Sequence, residues 1–147
     1  MTMHTSTQLQ PATANTLTAW HDMVAQRNLD GLEVLVHPEA VFRSPVSIHP
    51  YSPAPALIMA LRTVITIFQD FTYHRQFVND DGLSVVLEFS ARVGEKNLKG
   101  IDMIRFNEHG QIVDFEVMIR PLNALHDLAE EMGARLAQFM PNYKRKE

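Results

Sequence analysis

Gly100-Ile101-Asp102-Met103-Ile104-Arg105-Phe106-Asn107-Glu108-His109-Gly110-Gln111-Ile112 is the stretch whose reading decides the fold. Its first half has a period of two, which belongs to a strand with one buried face. Asn107-Glu108-His109-Gly110 has the composition of a hairpin turn, and Ile112 to Arg120 reads as the returning strand. Working outward, Leu83 to Arg92 alternates in the same way and is joined by the turn Gly94-Glu95-Lys96-Asn97 to a strand over Leu98 to Phe106. Phe71, Tyr73, Arg75 and Phe77 alternate with Thr72, His74 and Gln76 before the turn Asn79-Asp80-Asp81-Gly82. The second half is therefore a four-strand antiparallel meander.

The first half has a different period. Thr13 is placed to cap a helix over Ala14 to Asn28, with Leu17, Trp20 and Val24 on one face. Leu29-Asp30-Gly31 breaks it, a short helical turn covers Leu32 to Val36, and Val41 to Ser44 is a short strand ended by Pro45. Residues 45–55 hold four prolines and must form a loop. Leu57, Leu61, Val64, Ile65 and Phe68 mark a helix over Pro55 to Gln69. A closing helix starts at Pro121 and carries a stripe of Leu122, Leu125, Leu128, Met132, Leu136 and Phe139. Helices segregated from antiparallel strands define an α+β fold. The helices would pack on the concave face of one strongly curved sheet, leaving a pocket between the layers.

Composition sets the outer limits. The chain has 147 residues, 46% of them hydrophobic and 20% charged, which suits one globular domain over 13–140. Residues 1–12 read as a flexible arm and 141–147 as a basic tail. The absence of cysteine excludes disulfides, thiolate metal sites and cysteine nucleophiles. A net charge of −4 argues against a nucleic-acid partner. No apolar run reaches membrane-spanning length and the N-terminus is not signal-like, so the expectation is a soluble cytoplasmic protein with no membrane partner. The histidines lack metal-ligand spacing, phosphate-cradling glycines are missing and no nucleophile elbow occurs, so neither a metal nor a cofactor is expected.

Asp102 is the residue that carries chemistry. Alternation puts it on the same face as Ile104 and Phe106, the core-facing set. A carboxyl buried there is costly when charged, so desolvation raises its pKa and makes it a proton or hydrogen-bond donor. A structural hydrogen bond to a nearby hydroxyl or amide is the competing reading.

With these pieces in place, the sequence resembles the nuclear transport factor 2-like superfamily, the cone-shaped cystatin-like fold of SnoaL-like polyketide cyclases and ketosteroid isomerases. Three pieces carry the resemblance: Ile101 to Ile112, Leu29-Asp30-Gly31-Leu32 followed by Val41 to Val46, and Met118-Ile119-Arg120-Pro121-Leu122-Asn123-Ala124-Leu125. The resemblance implies that Asp102 occupies the position of the isomerases' oxyanion-hole aspartate. Ser44 stands where their base aspartate precedes a proline, and Trp20 stands for the tyrosine of their first helix. Two of three catalytic parts are replaced, which argues against steroid isomerisation.

Two candidates remain for a second catalytic group. His49, in the proline-rich loop, is placed to approach the pocket mouth. His74 is the other, although Tyr73 is favoured to face inward with Phe71. The pocket is expected to be lined by Trp20, Phe42, Ser44, Tyr51, Leu61, Ile65, Phe68, Tyr73, Leu87, Phe89, Ile104, Phe115 and Val117. The expected ligand is a mostly apolar small molecule with one polar end near Asp102 and Ser44. One alternative is a proton-transfer enzyme (isomerase, cyclase, dehydratase or hydrolase) with Asp102 as acid and His49 or a water held by Ser44 completing the site; another is a homodimeric interaction module without catalysis. Met103 and Met118 fall on the opposite sheet face, which points to a homodimer through the sheet.

Overall fold

In a computed structural model, which describes residues 8–139 with the side chains of 138 and 139 excepted, the first helix begins at a proline. Helix α1 covers Pro11–Ala25. Pro11 suits the first turn because its missing N–H would have no intrahelical partner. The helix thus starts inside the stretch read as an arm, and Gln10 N–H bonds Gly82 O at 3.0 Å. Residues 1–7 of the arm and the basic tail lie outside the described residues. Thr13 is not the cap: it sits within α1, fully buried, and its hydroxyl has no partner. The helix ends before the break read at Leu29.

A 3-10 turn over Leu32–Leu35 leads into strand β1, Val36–Arg43. The strand is longer than Val41 to Ser44 because it tolerates Pro38 where the pairing is irregular, between Val36 and Val41. The proline-rich loop follows. It is pinned across its base by Phe42 and Tyr51, which exchange backbone bonds of 2.8 and 2.9 Å. Helix α2 covers Ala54–Ile67 and buries Leu57, Ile58, Leu61 and Ile67. Strands β2 (Gln69–Val78), β3 (Ser84–Val93), β4 (Lys96–Phe106) and β5 (Ile112–Arg120) form the meander, and helix α3, Leu122–Phe139, closes the chain.

The sheet order is β1-β5-β4-β3-β2. The expected antiparallel sheet is therefore mixed: β1 joins β5 in parallel, at Phe42↔Phe115 and Arg43↔Glu116. The connection from β1 to β5 passes through a helix and three strands, a separation that lets two strands of one sheet run the same way.

Cross-strand register fixes what faces inward. Val85, Ile104 and Phe115 form one inner row, Leu87, Asp102 and Val117 the next, and Phe89, Gly100 and Ile119 a third. Gly100 has no side chain because Phe89 occupies that space: a Cβ there would lie 2.5 Å from Met118 O and 2.7 Å from Phe89 Cζ. Each large apolar side chain buried in these rows contributes roughly 1.5–3 kcal/mol.

The alternation along β2 does not run unbroken. The register with β3 shifts between Tyr73 and Gln76. Arg75 and Phe77, which share Tyr73's parity in the sequence, consequently face outward, and Phe77 is 52% exposed. On that outer face Glu88 is held between Arg75 Nε at 2.7 Å and Lys99 Nζ at 2.8 Å. Leu122 is 80% exposed and drops out of the closing-helix stripe. Ala124, Leu128 and Leu136 are buried and Met132 packs against the core. The side chain of Phe139 lies outside the described residues.

Candidate active site in the cavity between sheet and helices

The inner face of the sheet and the helices enclose a cavity of about 270 Å³. Its wall is apolar except at a few points. β4 contributes Asp102, β5 Phe115, Val117 and Ile119, and α2 Ala60, Leu61, Val64 and Ile65. α3 supplies Leu128, Ala129, Met132, Gly133 and Leu136. Trp20 comes from α1, Phe42 from β1, and Ser44, Pro45, Val46 and Tyr51 from the loop.

Asp102 is 5% exposed and lies between Leu87 and Val117 on the neighbouring strands. Tyr73 Oη donates to Asp102 Oδ2 at 2.5 Å, and Trp20 Nε1 donates to Tyr73 Oη at 3.0 Å. The chain has one direction. An indole N–H can only donate, so the tyrosine oxygen accepts it and sends its own proton to Oδ2. When Asp102 is protonated, its proton therefore sits on Oδ1, which makes no hydrogen bond among the described residues. Aromatic rings hold the relay: Phe71 meets Tyr73 edge-on at 4.9 Å, and Trp20 meets Phe115 at 5.4 Å.

Burial pushes the Asp102 carboxyl up to about 7, opposed by the Tyr73 hydrogen bond, which favours the charged form. Burial is also the main cause that raises Tyr73 well above its ordinary value, with the neighbouring carboxylate adding to it. His21 stands edge-on behind Tyr73 at 5.1 Å, and burial lowers its pKa.

The structure brings together most of the residues expected from sequence. Trp20, Phe42, Ser44, Tyr51, Leu61, Ile65, Phe68, Tyr73, Asp102, Phe115 and Val117 all line the cavity. Leu87, Phe89 and Ile104 are fully buried core residues that do not line it. His49 is exposed on the loop, outside the cavity wall, because the bridge at Tyr51 leaves the loop's tip in solvent. His74 is exposed too and meets Ser90 Oγ at 2.8 Å on the outer face. Ser44 Oγ accepts a bond from Val46 N–H at 3.1 Å. The sequence reading missed Arg27, Leu29, Met59, Phe71 and the whole α3 wall. Phe71's shared parity with Tyr73 was the available signal, whereas the α3 wall depends on how that helix folds back.

On α3, His126, Asp127 and Glu130 bring possible ligand atoms within 4.8 Å of one another, but Asp127 is engaged by Lys96 Nζ at 2.8 Å. No described helix is long and apolar enough to cross a membrane.

The curved sheet and the helices thus surround an apolar cavity whose wall carries one carboxyl among the described residues. The chain belongs to the SnoaL-like domain family, whose model matches residues 17–115. A structure described as a steroid delta-isomerase from Pseudomonas aeruginosa is 59% identical, with TM-score 0.88, covering 90% of this chain and 97% of that one. An uncharacterised protein with a cystatin-like fold from Silicibacter pomeroyi is 29% identical, with TM-score 0.78, covering 90% and 92%. A nuclear transport factor 2-like protein from Mesorhizobium loti, at 17% identity and TM-score 0.66, covers 76% and 93% and shares the fold. No curated protein matches.

The carboxyl makes stability depend on pH. Its folded pKa of about 7 exceeds the ordinary 3.8, so its contribution is fully present below about pH 4 and is lost as pH rises through about 7. The full loss is on the order of 4 kcal/mol. Urea unfolding from about pH 4 to about pH 8 should show this fall in the native protein relative to Asp102→Asn. Parallel curves would contradict the buried, neutral carboxyl.

Proposed function

We propose that the protein binds a mostly apolar small molecule in this cavity, with a ligand oxygen taking the Asp102 proton in a hydrogen bond. One observation carries the reading: among the described residues the apolar cavity has a single carboxyl in its wall, and the Trp20–Tyr73 relay leaves that carboxyl's Oδ1 for a guest. Apolar area supplies affinity and the single polar contact fixes orientation. The acidic net charge and lack of cysteine support a soluble, cytoplasmic setting for this role.

A second reading makes the protein a proton-transfer enzyme: an isomerase, cyclase, dehydratase or hydrolase. It is favoured by the Asp102 pKa of about 7, where a group can both give and take a proton near neutral pH, and by the 59% identity to the protein described as a steroid delta-isomerase. Against it stands the second group such a reaction calls for. Ser44 occupies the position expected of a base, and His49 lies outside the wall. Any proton shuttle here falls to Asp102 itself.

Trp20 is the single tryptophan and reports the site directly. Titration with apolar ketones, steroids and phenols should quench its fluorescence saturably for one class, with affinity weakened about tenfold in Asp102→Ala. A flat response to every compound would sink the binding reading. For a class that is turned over, Asp102→Asn should lower the rate by about 10²–10⁴ with affinity retained. Unchanged turnover would remove Asp102 from catalysis.

The outer sheet face supports a homodimer. Phe77 is 52% and Met118 43% exposed there, beside Met103. Sedimentation at micromolar concentration should give twice the 16.7 kDa chain mass. A monomer would refute the dimer.

A further inference from the structure

Arg27 stands where a helix end ordinarily takes glycine. It follows α1 with φ of 53°. Its N–H bonds Val24 O, and Asn28 N–H bonds Met23 O, both at 3.0 Å, which is the double closure that favours a residue without Cβ. A side chain in this left-handed conformation crowds its own backbone.

The guanidinium gives that position a purpose. Nη1 donates at 2.8 Å to the O of Phe68, the residue that follows α2, and Nη2 at 2.6 Å to the O of Ile65 in its last turn, where carbonyls have no intrahelical partner. These bonds anchor the group but do not exhaust it, since a guanidinium carries five N–H donors. Among the described residues no carboxylate lies within ion-pair distance of Arg27 or Arg120, whereas Arg43, Arg62, Arg75, Arg92, Arg105 and Arg135 each have one. Arg27 also lines the cavity, and it is the one cationic side chain among the described residues to do so.

Its placement defines a long axis. Helix α2 contributes to the wall from Ala56 to Ile65, roughly 14 Å of helix rise. Tyr51 flanks the start of that stretch in the chain, and Arg27 is bonded to its end. Facing α2, Gly133 on α3 leaves room: a Cβ there would meet nothing within 4 Å.

We propose that Arg27 selects the ligand: the cavity takes an elongated apolar molecule ending in a carboxylate, which the free donors of the guanidinium bind at the C-terminal end of α2. This rests on the reading of the cavity as an apolar ligand site. A guanidinium is suited to the task because it meets a carboxylate with paired, charge-assisted hydrogen bonds.

The test compares decanoate with 1-decanol, followed by Trp20 fluorescence and calorimetry at about pH 6, where decanoate is ionised and Asp102 keeps its proton. The native protein should bind decanoate about tenfold more tightly. Arg27→Gly suits the backbone and removes only the side chain. It should abolish the preference, so that the two probes bind alike, and Arg27→Lys should keep part of it. Equal affinity for the two probes in the native protein, or a preference that survives in Arg27→Gly, would overturn the assignment while leaving the cavity reading intact. Failure of both probes to bind any form would overturn the cavity reading for elongated ligands, and the role of Arg27 with it.

Discussion

A carboxyl sits in the middle of an apolar sheet face, and the sheet must accommodate it. Asp102 is flanked by Leu87 and Val117 in the inner rows, where an unpaired charge would be severely penalised. The fold meets this with a relay of neutral donors rather than with a counter-ion. Trp20 reaches from α1, Tyr73 from β2, and their hydrogen bonds end on one carboxylate oxygen. The relay ties the first helix to the far side of the sheet, and its direction decides which oxygen of Asp102 keeps the proton. Packing, protonation state and the chemistry open to a guest all depend on this contact.

Glu88 shows what the same sheet does with a carboxyl on its other face. It is as deeply buried as Asp102, at 5% exposure, yet its pKa is held down to about 2 by hydrogen bonds from Arg75 and then Lys99. Stability from that site is present above the ordinary carboxylate range and is lost as pH falls through about 2. One carboxyl is kept charged by cations and the other is pushed towards neutrality by an apolar environment. Such a separation of environments shifts two groups of the same kind in opposite directions. The charged pair network belongs to the face with Phe77, Met103 and Met118, and the neutral relay to the face with the cavity.

The sequence made most of this architecture legible because period-two alternation is a direct consequence of strand geometry. It placed Asp102 and Tyr73 inward and identified most of the cavity wall formed by the sheet and α2. What it could not show arose where a local pattern is overridden by distant partners. The shift between Tyr73 and Gln76 turns Arg75 and Phe77 outward, and nothing in the alternation announces it. β1 extends back past Pro38 because β5 offers it an edge. Pro11, not Thr13, starts α1, since burial of Thr13 outweighs its aptitude for capping. His49 is a sensible candidate in a loop read alone, yet the Phe42–Tyr51 bridge leaves it in solvent. The SnoaL-like resemblance supplied the fold and the position of Asp102. The partner of that aspartate proved to be a tyrosine from β2, with Trp20 behind it, which required the tertiary structure to see.

The most direct test of the account is the titration of the Asp102 carboxyl carbon by carbon-13 NMR in the ligand-free protein, assigned by its loss in Asp102→Asn. The expected midpoint is near pH 7, moving higher in Tyr73→Phe, where the hydrogen bond favouring the charged form is gone. A midpoint in the ordinary carboxylate range near 4, unmoved by Tyr73→Phe, would contradict it.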